Sequence, residues 1–158
     1  MKLIDGITYL CAKYPYSDEL SNARVTKMIY LADWRHTLDT GEQMTRIKWL
    51  FNHYGPWVPD VLNAARDHPE TIRLLHSQTP FGTDKTLLEA RPDARWPSLS
   101  RSDKAYLQQV VDSTKQLTFQ GFLDLIYGTY PVRKTDRYDT LDLEALATRY
   151  WKEQQGSA

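Results

Sequence analysis

The stretch that decides the fold is residues 20–62, LSNARVTKMIYLADWRHTLDTGEQMTRIKWLFNHYGPWVPDVL. The apolar residues of its first half recur at helical spacing: Val25, Met28, Ile29 and Ala32. Ser21 or Asn22 is placed to cap such a helix, and Gly41 is placed to end it. The pattern therefore predicts a helix that reaches about Leu38.

The second half of the stretch is ambiguous over residues 44–54. Ile47, Trp49 and Phe51 alternate with more polar neighbours, which suits a short strand as well as a helix. The Gly55-Pro56 pair must end this element, because proline supplies no backbone donor. Pro59 fits the first turn of another helix, which we expect to end near His68.

Outside this stretch the chain alternates helical and β-like patterns. Residues 2–13 predict a first helix, and two β-like runs at 71–77 and 85–91 predict a hairpin with a long turn. Ser100 and Asp103 resemble a capping box ahead of a further helix, and Thr118 can cap a shorter one. Residues 128–140 suggest an irregular polar loop. The last helix has a regular apolar stripe: Leu143, Leu146, Ala147, Tyr150 and Trp151.

Together these elements predict a mainly α (α+β) fold. We expect a single compact helical domain over residues 1–155, with a small antiparallel β-hairpin or sheet inserted in the middle. Residues 156–158, Gly156-Ser157-Ala158, are expected to be a frayed or expression-derived tail.

The amino-acid composition makes some classes of function less compatible with this chain than others. The 20 basic and 20 acidic residues give a formal net charge of zero, whereas nucleic-acid binders usually carry a basic excess. The single cysteine permits no intrachain disulfide, and no window approaches 18 apolar residues in a row. We therefore expect a cytoplasmic protein that binds no membrane and for which nucleic acid is a disfavoured partner.

No arrangement of residues indicates catalysis. The four histidines form no metal-binding pair, and Asp33 with His36 is a weak candidate on spacing alone. Cys11 lies on an apolar stripe, where a small buried side chain is the expected role. Nucleophile-elbow and phosphate-loop motifs are missing. We predict that the chain is not an enzyme, with no catalytic residues, metal or cofactor.

Residues 20–62 resemble the Panacea domain, the family of SocA-like antitoxins. The family pattern has a helix with a Lys-x-x-Tyr-[Leu/Phe]-Ala core, an aromatic-containing segment, and then Tyr-Gly-Pro before a further helix. The matching positions are Lys27, Tyr30, Leu31, Ala32, Trp49, Tyr54, Gly55, Pro56, Val58 and Val61. In place of the Pro-Trp-type ending of many members, this chain has Thr129-Tyr130-Pro131-Val132.

The resemblance implies an antitoxin that neutralises a toxin protein by direct binding. The partner would be a cognate toxin, encoded by the adjacent gene, and a role in toxin–antitoxin systems and phage defence would follow. Some relatives resemble adaptors that deliver a toxin to a protease, so a protease or chaperone is a further candidate partner.

The predicted partner-binding residues lie around the motifs and the aromatic turn. They are Lys27, Tyr30, Trp34, Trp49, His53, Tyr54, Gly55, Pro56 and Trp57. Tyr54 and Trp57 either anchor a partner or pin the turn onto the helix that carries Tyr30. Trp34 lies beyond the apolar stripe, either as part of an adhesive patch or as an ordinary exposed residue.

Three alternatives remain open at this point. The chain could be a DNA-binding transcriptional regulator that docks a helix and the hairpin, although Arg66, Arg73, Lys85 and Arg91 are sparse for that role. A protease adaptor is the second alternative. A small hydrolase, built on a carboxylate or histidine site that only folding brings together, is the residual one.

Overall fold

The computed structural model describes residues 1–156, and in this range seven helices and five short strands follow one another. A 3-10 turn at Ser17–Glu19 precedes the second helix. The helices are α1 (Leu3–Lys13), α2 (Asn22–Thr40), α3 (Asp60–Asp67), α4 (Arg101–Thr114), α5 (Phe119–Tyr127), α6 (Tyr130–Lys134) and α7 (Leu143–Gly156). The strands are β1 (Trp49–Asn52), β2 (Gly55–Pro56), β3 (Ile72–Gln78), β4 (Asp84–Ala90) and β5 (Thr140–Leu141). The chain is mainly helical with small antiparallel sheets, as the sequence predicts.

Helix α2 is the central element of the core. Its N-cap, Ser21, accepts a hydrogen bond from the amide of Arg24 at 3.2 Å, and Gly41 ends it with a φ of 85°. Glycine suits that position because side chains resist a left-handed backbone. Every residue from Arg24 to Trp34 is buried, and helices α1, α3, α4 and α7 pack against it. The segment of helix α2 from Arg24 to Trp34 is thus enclosed by the other helices.

Two small antiparallel sheets flank the helices. Strand β1 is central in the first, where it pairs with β2 on one edge and with β5 on the other. Strands β3 and β4 form the second, a hairpin with seven paired positions. The amide of Leu88 in β4 donates to the carbonyl of Leu20 at 2.9 Å, which attaches the hairpin beside the start of α2. The predicted hairpin in the middle of the chain is confirmed.

The ambiguous residues 44–54 contain a strand. Trp49 and Phe51 are buried while Leu50 and Asn52 are half-buried, and this alternation is the period of a strand. Residues 42–48 form a loop that covers one side of α2. Pro59 precedes α3 as its cap residue, one position before the first turn in which the sequence placed it.

The prediction of an irregular loop over residues 128–140 is wrong for part of that range. Helix α6 forms there, and Pro131 fits its second position, where a missing backbone donor costs nothing. Tyr130, Pro131 and Val132 are buried and join the core. Polar neighbours on both sides hide this short apolar segment in the sequence.

Helix α7 reaches the end of the described residues. Gly156 is the last residue of α7, and Ser157 and Ala158 of the predicted tail lie outside the described residues. Among residues 1–156, no helix has the length and apolar character that crossing a bilayer requires.

Candidate functional site

The β1–β2 connection carries two exposed rings. His53 and Tyr54 form a two-residue turn, and their rings meet edge to face with centroids 4.5 Å apart. Tyr54 is 73% exposed. Gly55 follows with a φ of 101°, a backbone conformation that favours glycine. The turn therefore presents Tyr54 outwards and does not pin it onto the helix of Tyr30.

A second segment reaches the same turn from the other side of β1. The hydroxyl of Tyr138 lies 3.0 Å from Nδ1 of His53, and the ring is 61% exposed. Tyr138 has a φ of 75°, which is uncommon for an aromatic residue and costs conformational energy. Its exposed neighbour Arg137 places Cζ 5.4 Å from the centroid of the Phe51 ring. We call the exposed side chains of His53, Tyr54, Arg137 and Tyr138 the aromatic turn surface.

Lys27 lies directly beneath this turn. A Cβ on Gly55 would stand 3.7 Å from Cε of Lys27 and 3.6 Å from the hydroxyl of Tyr127, so both side chains approach this glycine. Lys27 is only 4% exposed, and burial lowers its pKa to about 8. Within residues 1–156 it makes no hydrogen bond and no ion pair.

The rings of Tyr30 and Trp49 pack inside the protein beneath strand β1 and support the turn that follows it. Their rings meet edge to face at 5.5 Å, and both side chains are fully buried. The hydroxyls of Tyr30 and Thr129 are hydrogen-bonded at 2.8 Å, and burial raises the pKa of the Tyr30 phenol. These contacts join α2 to β1 and to the segment before α6.

Asp33 holds the loop that leads into β1. Its carboxylate accepts hydrogen bonds from the amides of Met44 at 2.9 Å and Thr45 at 3.0 Å, and from the Thr45 hydroxyl. The indole of Trp49 donates to the same carboxylate at 2.9 Å. Burial raises the pKa of Asp33, and these hydrogen bonds oppose that shift. Sequence reasoning missed this role, because the partners lie 11 to 16 residues further along the chain.

The structure divides the nine predicted partner-binding residues. His53 and Tyr54 are exposed, and Trp57 is half-buried. Buried members are Lys27, Tyr30, Trp34, Trp49, Gly55 and Pro56. All except Trp34 belong to the turn or to its support.

Trp34 packs at a separate place. Its ring stacks on Tyr130 with centroids 6.2 Å apart and meets Tyr150 edge to face at 6.4 Å. Helices α6 and α7 supply these rings, so Trp34 is buried although it lies beyond the apolar stripe of α2. Both alternatives for this residue, an exposed adhesive patch and an ordinary exposed side chain, are therefore wrong.

The sequence does not indicate that three further residues belong to the site. Tyr127, Arg137 and Tyr138 come from α5 and from the segment before β5, about 70 to 85 residues after the turn. Only the pairing of β1 with β5 brings that segment alongside.

Of the groups considered for catalysis, Cys11, His36 and His68 lie outside this turn, whereas His53 is part of it. Burial raises the pKa of the Cys11 thiol to about 12, which keeps it protonated and a poor nucleophile. His36 and His68 bond to the backbone carbonyls of Glu42 and Ala64. Across residues 1–156, no three His, Cys, Asp or Glu side chains are grouped so that they could hold a metal ion.

Comparison with known proteins gives one finding. The family model described as "Antitoxin SocA-like, Panacea domain" matches residues 25–130, which is 106 of the 158 residues. This range includes Lys27, the turn at His53–Pro56, and Tyr127. No curated protein and no solved structure matches the chain.

Proposed function

Since the chain belongs to the SocA-like antitoxin family that carries the Panacea domain, we propose that it neutralises a toxin protein by binding it directly. The aromatic turn surface is the observation that supports a direct contact. We propose no catalytic step for this chain, because binding alone accounts for neutralisation. A family label does not itself demonstrate an activity, so the proposal depends on the site.

The aromatic turn surface has the composition of a protein-binding hot spot. Tyrosine and arginine are enriched in hot spots, and tyrosine loses little side-chain entropy when it binds. The contact between His53 and Tyr138 and the short β1–β2 turn hold these rings before a partner arrives. Such preorganisation lowers the cost of association. The strained backbone of Tyr138 at an exposed position is typical of a functional site.

The buried residues would contribute by positioning. Tyr30 and Trp49 pack beneath β1, and Gly55 and Pro56 set the path of the chain after the turn. Trp57 is half-buried next to them and extends the surface at its edge. Trp34 lies with α6 and α7, so we assign it an indirect role in holding those helices against α2.

The toxin is the proposed partner, and the product of the adjacent gene is its first candidate. We expect the pair to act in the cytoplasm as a toxin–antitoxin system, with phage defence as its biological setting. A protease or chaperone would act on the complex after it forms. Neutralisation by blocking leaves the toxin level unchanged, whereas delivery to a protease lowers it.

Growth of cells that express the adjacent open reading frame tests the proposal. We expect toxicity that is relieved by this chain and restored when Tyr54 is replaced by alanine. The matched control is Phe81→Ala, which removes a 94% exposed ring in the β3–β4 turn, away from the site. Rescue that is equally strong with Tyr54→Ala would contradict the placement of the contact. An immunoblot of the toxin separates blocking from degradation.

No observation favours the DNA-binding alternative. In the hairpin, Arg73 lies 3.8 Å from Glu89, so part of its positive charge is already balanced. Helix α3 has eight residues and contains Arg66 as its only basic side chain. A protein that reads a groove draws most of its affinity from phosphate contacts, which this region supplies poorly. We therefore do not propose it.

A further inference from the structure

Helix α2 buries three charged side chains, Arg24, Lys27 and Asp33, and two of them have hydrogen-bond partners inside the protein. Asp33 accepts hydrogen bonds from two backbone amides, a hydroxyl and an indole. Arg24 donates to the hydroxyl of Tyr14 at 2.7 Å and to the carbonyl of Thr114 at 3.3 Å, and its guanidinium faces the ring of Phe122 at 4.3 Å. Asp33 is thus fully hydrogen-bonded, whereas Arg24 is bonded through one guanidinium nitrogen and its Nε is buried without an acceptor among the described residues.

Lys27 is the exception among the three. The end of its side chain lies beside Gly55, which the ring of Tyr127 also approaches, and the amine has no acceptor among the described residues. The two acids nearest in sequence to the aromatic turn surface, Asp136 and Asp139, form no ion pair with it. Among the described residues, the fully enclosed polar side-chain atoms without a partner are Arg24 Nε and the Tyr130 hydroxyl, so the Lys27 amine keeps some contact with solvent. A largely buried charge without a partner still destabilises a fold. Methionine at this position would fill similar space without that cost.

A charge that weakens the isolated protein points to a partner that compensates it. We propose that Lys27 is a receptor for a carboxylate of the toxin, carried by an aspartate or glutamate on the segment that covers the aromatic turn surface. This inference rests on the proposed function and adds the chemistry of the partner's contact. The exposed guanidinium of Arg137 beside the same turn favours an acidic segment for the same reason.

The approach to Lys27 is compatible with such a contact. Glycine at position 55 places no side chain over the lysine, and the turn above it is only two residues long. The four-carbon stem of lysine is flexible, so its amine can move towards the edge of the turn. A carboxylate that meets the amine there is largely shielded from water by the toxin, which strengthens the ion pair.

Substitution of Lys27 by methionine separates a binding role from a structural one. We expect the urea midpoint of Lys27→Met to be equal to or higher than that of the natural protein, because a buried unpaired charge is removed. We expect its Kd for the product of the adjacent reading frame, the same protein as in the growth assay, to rise at least tenfold. The control Lys104→Met removes an exposed lysine of α4, and neither quantity should change.

The toxin side provides a second measurement that does not depend on the folding of the variant. Each exposed aspartate or glutamate of the toxin is replaced by its amide, and binding to the natural chain is measured. At least one replacement should weaken binding tenfold, and it should add nothing further when combined with Lys27→Met. Any one of three results overturns this inference while leaving the proposed function intact. They are the absence of a toxin acid whose replacement weakens binding, a Kd of Lys27→Met within twofold of the natural value, and a urea midpoint of Lys27→Met below that of the natural protein. No binding by the natural chain overturns the proposed function as well.

Discussion

At the scale of single residues, Asp33 connects the core helix to the site. Its carboxylate joins α2 to the loop before β1 and to the indole of Trp49, which supports the turn. A carboxylate is required here because it only accepts hydrogen bonds, and five donors converge on it, the side-chain amide of Gln43 at 3.4 Å among them. The side-chain amide of asparagine would instead point its own NH₂ donors at some of these donors, which would then lose their acceptor.

Asp33→Asn should therefore lower the free energy of unfolding by about 2–4 kcal/mol, the cost of leaving buried donors unsatisfied. Urea denaturation measures this change. Asp67→Asn is the control, since Asp67 is exposed at the end of α3 and its replacement should stay within about 0.5 kcal/mol. Equal stabilities for the two variants would contradict the assigned role of Asp33.

Lys27 predicts a dependence of stability on pH. Its pKa is about 8 in the folded protein and has its ordinary value of 10.5 in the unfolded chain. Between these values the unfolded chain binds more protons, so the contribution of Lys27 to the free energy of unfolding rises with pH. The destabilisation is fully present below pH 8 and is relieved as pH approaches 10.5.

The comparison of the natural protein with Lys27→Met isolates this effect. The stability advantage of the methionine variant should shrink by roughly 3 kcal/mol between pH 7 and pH 10.5, at about 1.4 kcal/mol for each pKa unit. Tyrosines titrate alike in both proteins and cancel in the difference. Urea denaturation across this range measures it, and a constant difference would show that the amine is solvated in the folded state.

At the scale of elements, local signals predict the helices well. The capping box ahead of α4 is confirmed, with the amide of Asp103 donating to Ser100 at 2.9 Å and the amide of Ser100 donating to Asp103 at 3.0 Å. Thr118 caps α5 through the amide of Gly121, also as predicted. These signals are readable because cap and partner are three residues apart.

Ser100→Ala should lower the free energy of unfolding by about 1 kcal/mol, since the first turn of α4 loses its side-chain acceptor. Ser102→Ala, at an exposed position inside the same helix, should be neutral or slightly stabilising because alanine favours helices. Thermal or urea unfolding of the two variants measures the contrast. A loss that is equal in both would mean that the cap contributes nothing.

Elements built from distant segments are harder to predict. The three-stranded sheet needs β5, a two-residue strand whose partner is about 90 residues away, and two residues carry no periodicity. Helix α6 has five residues, too few for a helical stripe. Trp34 is buried by rings from α6 and α7, and the residues adjacent to Trp34 in the sequence do not reveal this packing. Contacts between distant segments decide these features.

At the scale of the whole molecule, the sequence motifs and the structure bear on different parts of the site. The Lys27 and Tyr54–Pro56 motifs are far apart in the chain, and the fold brings Lys27 beneath Gly55. Most motif residues are buried and maintain the turn, whereas the exposed contacts Arg137 and Tyr138 lie outside the motif. A family pattern thus locates the support, and folding supplies much of the surface that a partner would touch.

Direct association of the purified chain with the product of the adjacent gene is the measurement that tests the central claim most directly. Isothermal calorimetry should give a saturable complex of defined stoichiometry, with an affinity that falls at least tenfold for Tyr54→Ala and is unchanged for Phe81→Ala. Absence of any complex between the purified proteins, in conditions where both are folded, would contradict neutralisation by direct binding.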